Sequence, residues 1–422
     1  MNKKSSFNPV GSNERIHVLD ALRGFAIFGI FMINARVFSG YAYMLGDEKN
    51  ELLLADWNPV FDIFHTVFFS GKFYTLFSLM FGIGFAIQFI RASSADQSFN
   101  RHFSRRLFIL LIIGVIHLWG IWFSDILVLY ALCGYVLIFF QSFSNRALLW
   151  AGFLTLCIPG LYIWYLNTND GGYVNHIYEY LNQQWNSLDL PHSNENNYFQ
   201  MRDVVEIIQS SSWSTVLTFN YIGPLLRGYI YALDARFFNV LGVFIIGLWT
   251  GRQLMLHKLH ENRSLLIKIA VTGFIFGLIL NIGFVMDAPA GLDNATFQLI
   301  KEMLEPIGYL FLTAGYVAAF MLLYLTRFRQ VLTKLFNSVG KTALTNYILQ
   351  SFIGIFLFYG IGLGLGEYLG SAYLTLAVFV VFVFQILISS LWLMKFKYGP
   401  LEWIWRVLTY GRLLSNKKKR EL

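Results

Sequence analysis

Residues 105–142 read RRLFILLIIGVIHLWGIWFSDILVLYALCGYVLIFFQS. Two arginines open the stretch, and two long apolar runs follow, parted by Ser124-Asp125. A helix rising 1.5 Å per residue needs roughly 20 such residues to cross a hydrocarbon core about 30 Å thick. Each run is close to that length, so the stretch predicts two consecutive spans joined by a tight turn. Runs of the same kind recur near 21–41, 70–91, 146–165, 237–256, 265–286, 304–325, 341–363 and 371–394. The expected fold class is therefore all-α: a polytopic membrane helical bundle of about ten transmembrane helices with short interfacial helices. Residues 57–70 are apolar and aromatic and predict such a short helix. Residues 213–233, interrupted by Gly223-Pro224, predict a half-helix.

Composition agrees. Of 422 residues, 56% are apolar and 13% charged, against about 25% charged in an ordinary soluble domain. A water-soluble globule needs more polar surface than this. Two cysteines exclude a disulfide scaffold, and Cys133 and Cys157 both fall within apolar runs. The formal net charge is +8. On a soluble chain this would raise nucleic acid as a partner. In a membrane chain the first question is whether the cations share one side.

They do. With Lys3, Lys4 and Arg15 placed in the cytoplasm, ten crossings put Arg91/Arg101/Arg105/Arg106, Arg146, Arg252/Lys258/Arg263, Arg327/Arg329/Lys334 and the tail Lys417-Lys418-Lys419-Arg420 on the same side. Residues 42–66, on the other side, hold Asp47, Glu48, Glu51, Asp56 and Asp62 against Lys49. Both termini are expected in the cytoplasm, and nucleic acid is not an expected partner. The first 14 residues are polar and the first apolar run contains Asp20 and Arg23, so a cleavable signal is not expected. The organisation expected is one integral membrane domain over 1–422. Within it lie an extracytoplasmic excursion at 166–212 and a cytoplasmic interfacial helix with basic tail at 396–422.

Polar residues at bilayer depth are costly, about 2.5–3.5 kcal/mol for a charge at a helix centre, and face a protein interior or wet cavity. Asp20, Arg23 and Asn34 share one face of the first span, because eleven steps bring Arg23 and Asn34 within about 20°. They read either as an interfacial ion pair plus a helix-gluing amide or as a polar stripe along a cavity. Lys72 lies at a span end, where it can snorkel or serve a site, and His65 is expected at the interface. His117 stands about 18 Å above Arg105. A neutral imidazole there can take and return a proton near neutral pH. Asp125 reaches it only if the helix end bends back. Thr342, Asn346 and Gln350 repeat every four residues as an amide-rich stripe, read as interhelical glue or as a wall for a polar ligand. Glu402 and Arg406 are spaced as helical i, i+4 partners. HExxH, P-loop, GxSxG and Cys/His metal spacings do not occur, so no metal is expected.

The string Leu19-Asp20-Ala21-Leu22-Arg23-Gly24 resembles the opening of the transmembrane acyltransferase superfamily, which includes the heparan-glucosaminide N-acetyltransferases. Three further stretches are similar to the YeiB family of bacterial membrane proteins. They are Gly71 through Ser78 (GKFYTLFS), Gly340 through Tyr347 (GKTALTNY) and Gly399 through Gly411 (GPLEWIWRVLTYG). The pattern Gly114…His117 with Asp125-Ile126-Leu127…Tyr130 fits as well, and the likeness covers nearly the whole chain. The superfamily resemblance implies acyl transfer from cytosolic acyl-CoA to an acceptor at the outer face. Surface O-acyltransferases of that group carry a histidine fourteen residues after the opening Asp. Asn34 stands there in this chain, as it does in the glucosaminide enzymes, which use a histidine in the following extracytoplasmic segment. Residues 35–64 hold no histidine, so His65 and His117 are the nearest candidates.

The function expected is an acyl-CoA-dependent transferase of a bacterial cytoplasmic membrane, with acetyl-CoA or another acyl-CoA as donor. His117, Asp125 and Asn34 are the expected catalytic residues. Arg23, Lys72, Arg105, Arg106, Asn346 and Gln350 are expected to bind the donor, with Asn34 or Lys72 donating to the oxyanion. The expected partners are the bilayer, acyl-CoA, an envelope glycan, lipid or small-molecule acceptor, and a second copy in a homodimer. The competing expectation is a transporter or lipid/solute-binding protein without acyl-transfer chemistry.

Overall fold

The computed structural model describes residues 17–94, 99–169, 171–257, 262–286 and 294–418. Lys3, Lys4, Arg15, Lys258, Lys419 and Arg420 lie outside the described residues. The helices run α1 His17–Phe38, α2 Gly46–Asn50, α3 Asn58–Phe68, α4 Lys72–Ser94, α5 Phe99–Gly120, α6 Leu127–Phe139, α7 Asn145–Thr168, α8 Gly172–Ser187 and α9 Asp203–Gln209. They continue with α10 Trp213–Leu233, α11 Arg236–His257, α12 Arg263–Gly283, α13 Asn294–Tyr324, α14 Arg329–Lys341, α15 Ala343–Phe358, α16 Ser371–Lys395 and α17 Pro400–Tyr410. Among the described residues the only β-pairing is two isolated bridges, Leu53 with Leu369 and Phe396 with Lys417.

Eight of these segments are long and apolar enough to cross a membrane, and α6 and α15 are shorter apolar helices. The expected runs near 125–142 and 341–363 are therefore present but short. At 1.5 Å per residue the 16 residues of α15 cover about 24 Å. Thr342, at φ −118° and ψ 37°, breaks the chain between α14 and α15. The expected half-helix at 213–233 is instead one continuous helix of 21 residues that carries Pro224 inside it. Packed neighbours satisfy the backbone groups that a proline frees, so membrane bundles tolerate this.

Burial orders the bundle. In α1, 67% of the apolar window is buried, and in α12 only 22%. α1 is central, flanked by α4, α14 and α15; α11 lies between α4 and α7; α12 rides on α13 at the rim. Rim helices expose Trp150, Leu154, Val271, Ile279, Val380 and Leu387, an apolar belt suited to hydrocarbon. The excursion is more ordered than a plain loop. Trp185 of α8 and Val204, Ile207 and Ile208 of α9 bury their side chains in the same core cluster as Phe31 and Phe38 of α1.

Two close approaches fix the geometry that matters for function. A Cβ on Gly114 would lie 2.7 Å from Val128 N, so α5 and α6 cross backbone to backbone. A Cβ on Gly340 would strike the Asp20 carbonyl, so α14 lies directly on α1. α17 then straps two helices together. Glu402 accepts from Leu344 N (2.7 Å), Thr345 N (3.0 Å) and Thr345 Oγ1 (2.6 Å), capping α15. Trp405 Nε1 donates to Arg106 O of α5 at 2.9 Å.

Candidate functional site

α5 ends at Gly120, where Ile121 N and Trp122 N both donate to His117 O, at 3.0 and 2.8 Å. The chain reverses over the next residues, and Asp125 folds back onto the helix it has just left. His117 Nδ1 and Asp125 Oδ1 lie 2.8 Å apart. The bend that the sequence required of this pair is therefore present. Asp125 Oδ2 accepts from Val128 N at 2.8 Å at the start of α6. The Asp125 carbonyl accepts from Arg227 Nε (3.1 Å) and Tyr231 Oη (2.5 Å) of α10. His117 and Val128 N thus hold the carboxylate, and α10 holds the backbone of the same residue.

The other imidazole nitrogen is engaged too. His117 Nε2 lies 2.9 Å from Ser351 Oγ of α15. His117, Asp125 and Ser351 are 0%, 1% and 1% exposed, so the trio is closed to solvent. Tyr347, one turn before Ser351, places its ring 5.3 Å from the imidazole. Trp122 stacks on Phe38 of α1 at 4.0 Å and closes another side. Ser351, Arg227 and Tyr231 were not among the residues expected from sequence. Only Ser351 has a sequence signal: it lies on the ALTNY helix, four residues after Tyr347 and hence on the same face.

The remaining expected residues divide between other places. Asn346 Nδ2 donates to Thr342 O (3.0 Å), Thr342 Oγ1 (2.7 Å) and Ser389 Oγ (2.9 Å). Gln350 Nε2 donates to Gln385 Oε1 (3.0 Å), and Gln385 Nε2 to Asn346 O (3.0 Å). These bonds join α15 to α16, and both amides are almost fully buried. Asn34 is half-buried on α1, whose Phe38 is the residue that reaches Trp122.

Arg23 pairs with Asp20 at 2.8 Å and remains one-third exposed. Arg106 donates to Gln88 Oε1 at 2.9 Å and stacks on Trp405 at 4.2 Å. Arg105 is exposed, its guanidinium beside Gly411. These three cations share the end of the bundle that α17 covers. Glu402 in α17 has its carboxyl raised by burial, with the hydrogen bonds from Thr345 pulling the other way.

Lys72 and His65 belong to the opposite end. Lys72 is 1% exposed, donates to Thr66 O at 2.6 Å and lies 4.6 Å over the Tyr309 ring. Beside it a cavity of about 410 Å³ is lined by Tyr74, Asp234, Arg236, Glu302, Glu305 and Tyr309, among others. Arg236 pairs with Asp234 and sits 4.8 Å over Tyr74. His65 Nε2 bonds Thr375 Oγ1 at 2.9 Å. Nearby, Arg36 pairs with Asp62 at 2.9 Å, and Lys49, its pKa lowered by burial, lies 4.7 Å over the Tyr41 ring. Among the described residues, neither Lys72 nor His65 shares a hydrogen-bond partner with His117. Among the described residues no group of three or more His, Cys, Asp or Glu side chains is placed to hold a metal ion.

Fold and site together define a polytopic helical membrane protein with a buried histidine–carboxylate pair at the turn between two apolar helices. Residues 250–412 match the family described as a protein of unknown function, DUF418. The chain is 33% identical over 417 residues to the uncharacterized protein YxaH of Bacillus subtilis (strain 168), covering 96% of this chain and 97% of that one. It is 29% identical over 416 residues to the uncharacterized protein YeiB of Escherichia coli (strain K12), covering 94% and 96%. It is 26% identical over 429 residues to an uncharacterized 39.9 kDa protein encoded in the amylase 3′ region of Bacillus acidopullulyticus, covering 98% and 99%. The chain belongs to this YeiB-like family.

Proposed function

We propose that the chain is a membrane-embedded acyltransferase, moving an acyl group, acetyl first of all, from cytosolic acyl-CoA to an acceptor at the opposite face of a bacterial cytoplasmic membrane. The observation that carries the reading is the buried His117–Asp125 contact of 2.8 Å. A carboxylate on Nδ1 holds the imidazole in the tautomer whose Nε2 takes up a proton, and stabilises the imidazolium that follows. Burial strengthens both effects, because the local dielectric is low.

Arg106 and Arg23 support the donor side. Guanidinium groups match phosphate oxygens bidentately. Arg106 lies on the same helix as His117, eleven positions and about 16 Å below it. The reading asks the pantetheine arm to cover that rise. The positive-inside bias supports a cytoplasmic arginine end, with both termini on that side. Because the trio is sealed, substrate entry requires the seam between α5 and α15 to part.

The test is label transfer from radioactive acetyl-CoA to envelope glycan and lipid fractions by the full chain in nanodiscs. Wild type is expected to transfer label and His117→Ala to lose it. Absence of label in every fraction discards the reading. A transporter or solute-binding reading is favoured by one observation, the charged cavity of about 410 Å³ beside Lys72. Solute flux into proteoliposomes without any acyl donor would support it instead.

A further inference from the structure

We infer that Ser351 is the nucleophile that carries the acyl group, as a serine ester, between donor and acceptor. The nucleophile rests on geometry, and only the identity of the donor rests on the acyl-transfer reading. His117 has two ring nitrogens, and both are committed. Nδ1 holds Asp125, and Nε2 faces Ser351 Oγ at 2.9 Å. The proton within reach of the base is therefore the serine hydroxyl's. An acceptor hydroxyl or amine reaches Nε2 only by displacing Ser351, and the imidazole has no vacant nitrogen on which to carry the acyl group itself.

The rest of the site is consistent with an activated serine. Buried helical serines commonly spend their hydroxyl on the carbonyl four residues back. Here Oγ points instead at an imidazole from a helix 234 positions away in sequence. Asp125 is pinned by Val128 N, Arg227 and Tyr231, so the base stays in register. Among the described residues the buried Tyr347 hydroxyl has no acceptor for its proton. Its ring lies 5.3 Å from the imidazole and helps close the pocket around it. Near-complete burial of all three side chains excludes water, which protects an ester from hydrolysis until the acceptor arrives.

The step balances without a redox partner. Ser351 Oγ bonds to the acyl carbon of acyl-CoA while its proton passes to His117 Nε2. The carbon–sulfur bond breaks, and the departing thiolate takes that proton. In the second half the acceptor gives its proton to His117 Nε2 and attacks the ester, and Ser351 leaves with the proton restored.

The full chain in nanodiscs is treated with a small fluorophosphonate, digested and mapped by mass spectrometry. The adduct is expected on Ser351, with none at that peptide in Ser351→Ala. Asp125→Asn, a change of nearly constant volume, is expected to slow labelling about 100-fold or more. In a parallel arm, wild type is incubated with acetyl-CoA, quenched in acid and mapped, and one acyl group is expected on Ser351. A fluorophosphonate adduct without an acyl adduct keeps the nucleophile and removes acyl-CoA as its donor. No adduct of either kind on folded wild type overturns the inference. So does a Ser351→Ala protein that transfers label at the wild-type rate, an outcome that leaves the acyltransferase reading standing.

Discussion

Ser351 Oγ and His117 Nε2 meet at 2.9 Å although 234 positions separate them in the chain. The meeting is made by α17 as much as by α5 and α15. Glu402 takes the free amides at the start of α15, and Trp405 holds the Arg106 carbonyl of α5. One short helix thus sets the relative height of the two helices that carry the serine and the histidine.

Glu402→Ala is expected to loosen that strap. It strands the Leu344 and Thr345 amides, at a cost of about 1–3 kcal/mol. Thermal unfolding in detergent should show the loss, and fluorophosphonate labelling of Ser351 should slow with it. Unchanged labelling in a destabilised Glu402→Ala protein would mean that α17 serves stability alone.

Asp125→Asn should lower acyl transfer by about 10²–10⁴-fold, because an amide favours the wrong imidazole tautomer. The comparison to make is kcat against KM. The fall belongs in kcat, since Asp125 touches the base and not the donor.

Gly114→Val tests the turn geometry without touching the trio. A Cβ there meets Val128 N at 2.7 Å, and Val128 N is the amide that holds Asp125 Oδ2. Overpacking of this kind costs about 1–3 kcal/mol. Activity should fall as it does in Asp125→Asn, and a variant that is less stable yet fully active would separate the crossing from the site.

Asn346→Leu distinguishes glue from ligand wall. Interhelical hydrogen bonds in membranes average about 0.6 kcal/mol and reach about 1.7. A small loss of melting temperature with an unaltered KM for acyl-CoA is expected. A several-fold rise in KM would return the stripe to the donor path.

Arg106→Gln removes a cation from the end that α17 covers while keeping a hydrogen-bonding head. The KM for acyl-CoA should rise about tenfold, near 1.4 kcal/mol, with kcat retained. Equal KM values for the two proteins would place the phosphates elsewhere.

The helical bundle was legible from apolar run lengths because lipid leaves so few ways to satisfy a backbone. Even the expected short helix at 57–70 appears, as α3 over Asn58–Phe68. Pro224 predicts a break because, in an isolated helix, proline removes a donor and clashes with the preceding turn. In the bundle α10 runs through it. The candidate site was half legible. His117 and Asp125 stood out as polar residues at depth, but Ser351 did not, because serine is cheap to bury and frequent in helices. The structure brings it to His117 on a second face of α15, about 120° round from the amide stripe. Thr342, Asn346 and Gln350 meet α16, while Tyr347 and Ser351 meet His117.

By itself the sequence determined a membrane-embedded, all-helical chain and the polar residues that lie at bilayer depth. It did so because hydrophobic length and charge are local properties, fixed before any helix finds a neighbour. The tertiary structure alone decided which polar residues meet. Asp125 turns back onto His117, Lys72 bonds the Thr66 carbonyl, and Asn346 and Gln350 of α15 reach Ser389 and Gln385 of α16. Hydrogen bonds work over about 3 Å. Which side chains come within that distance depends on helix crossings such as Gly114 on Val128, and no single segment encodes those.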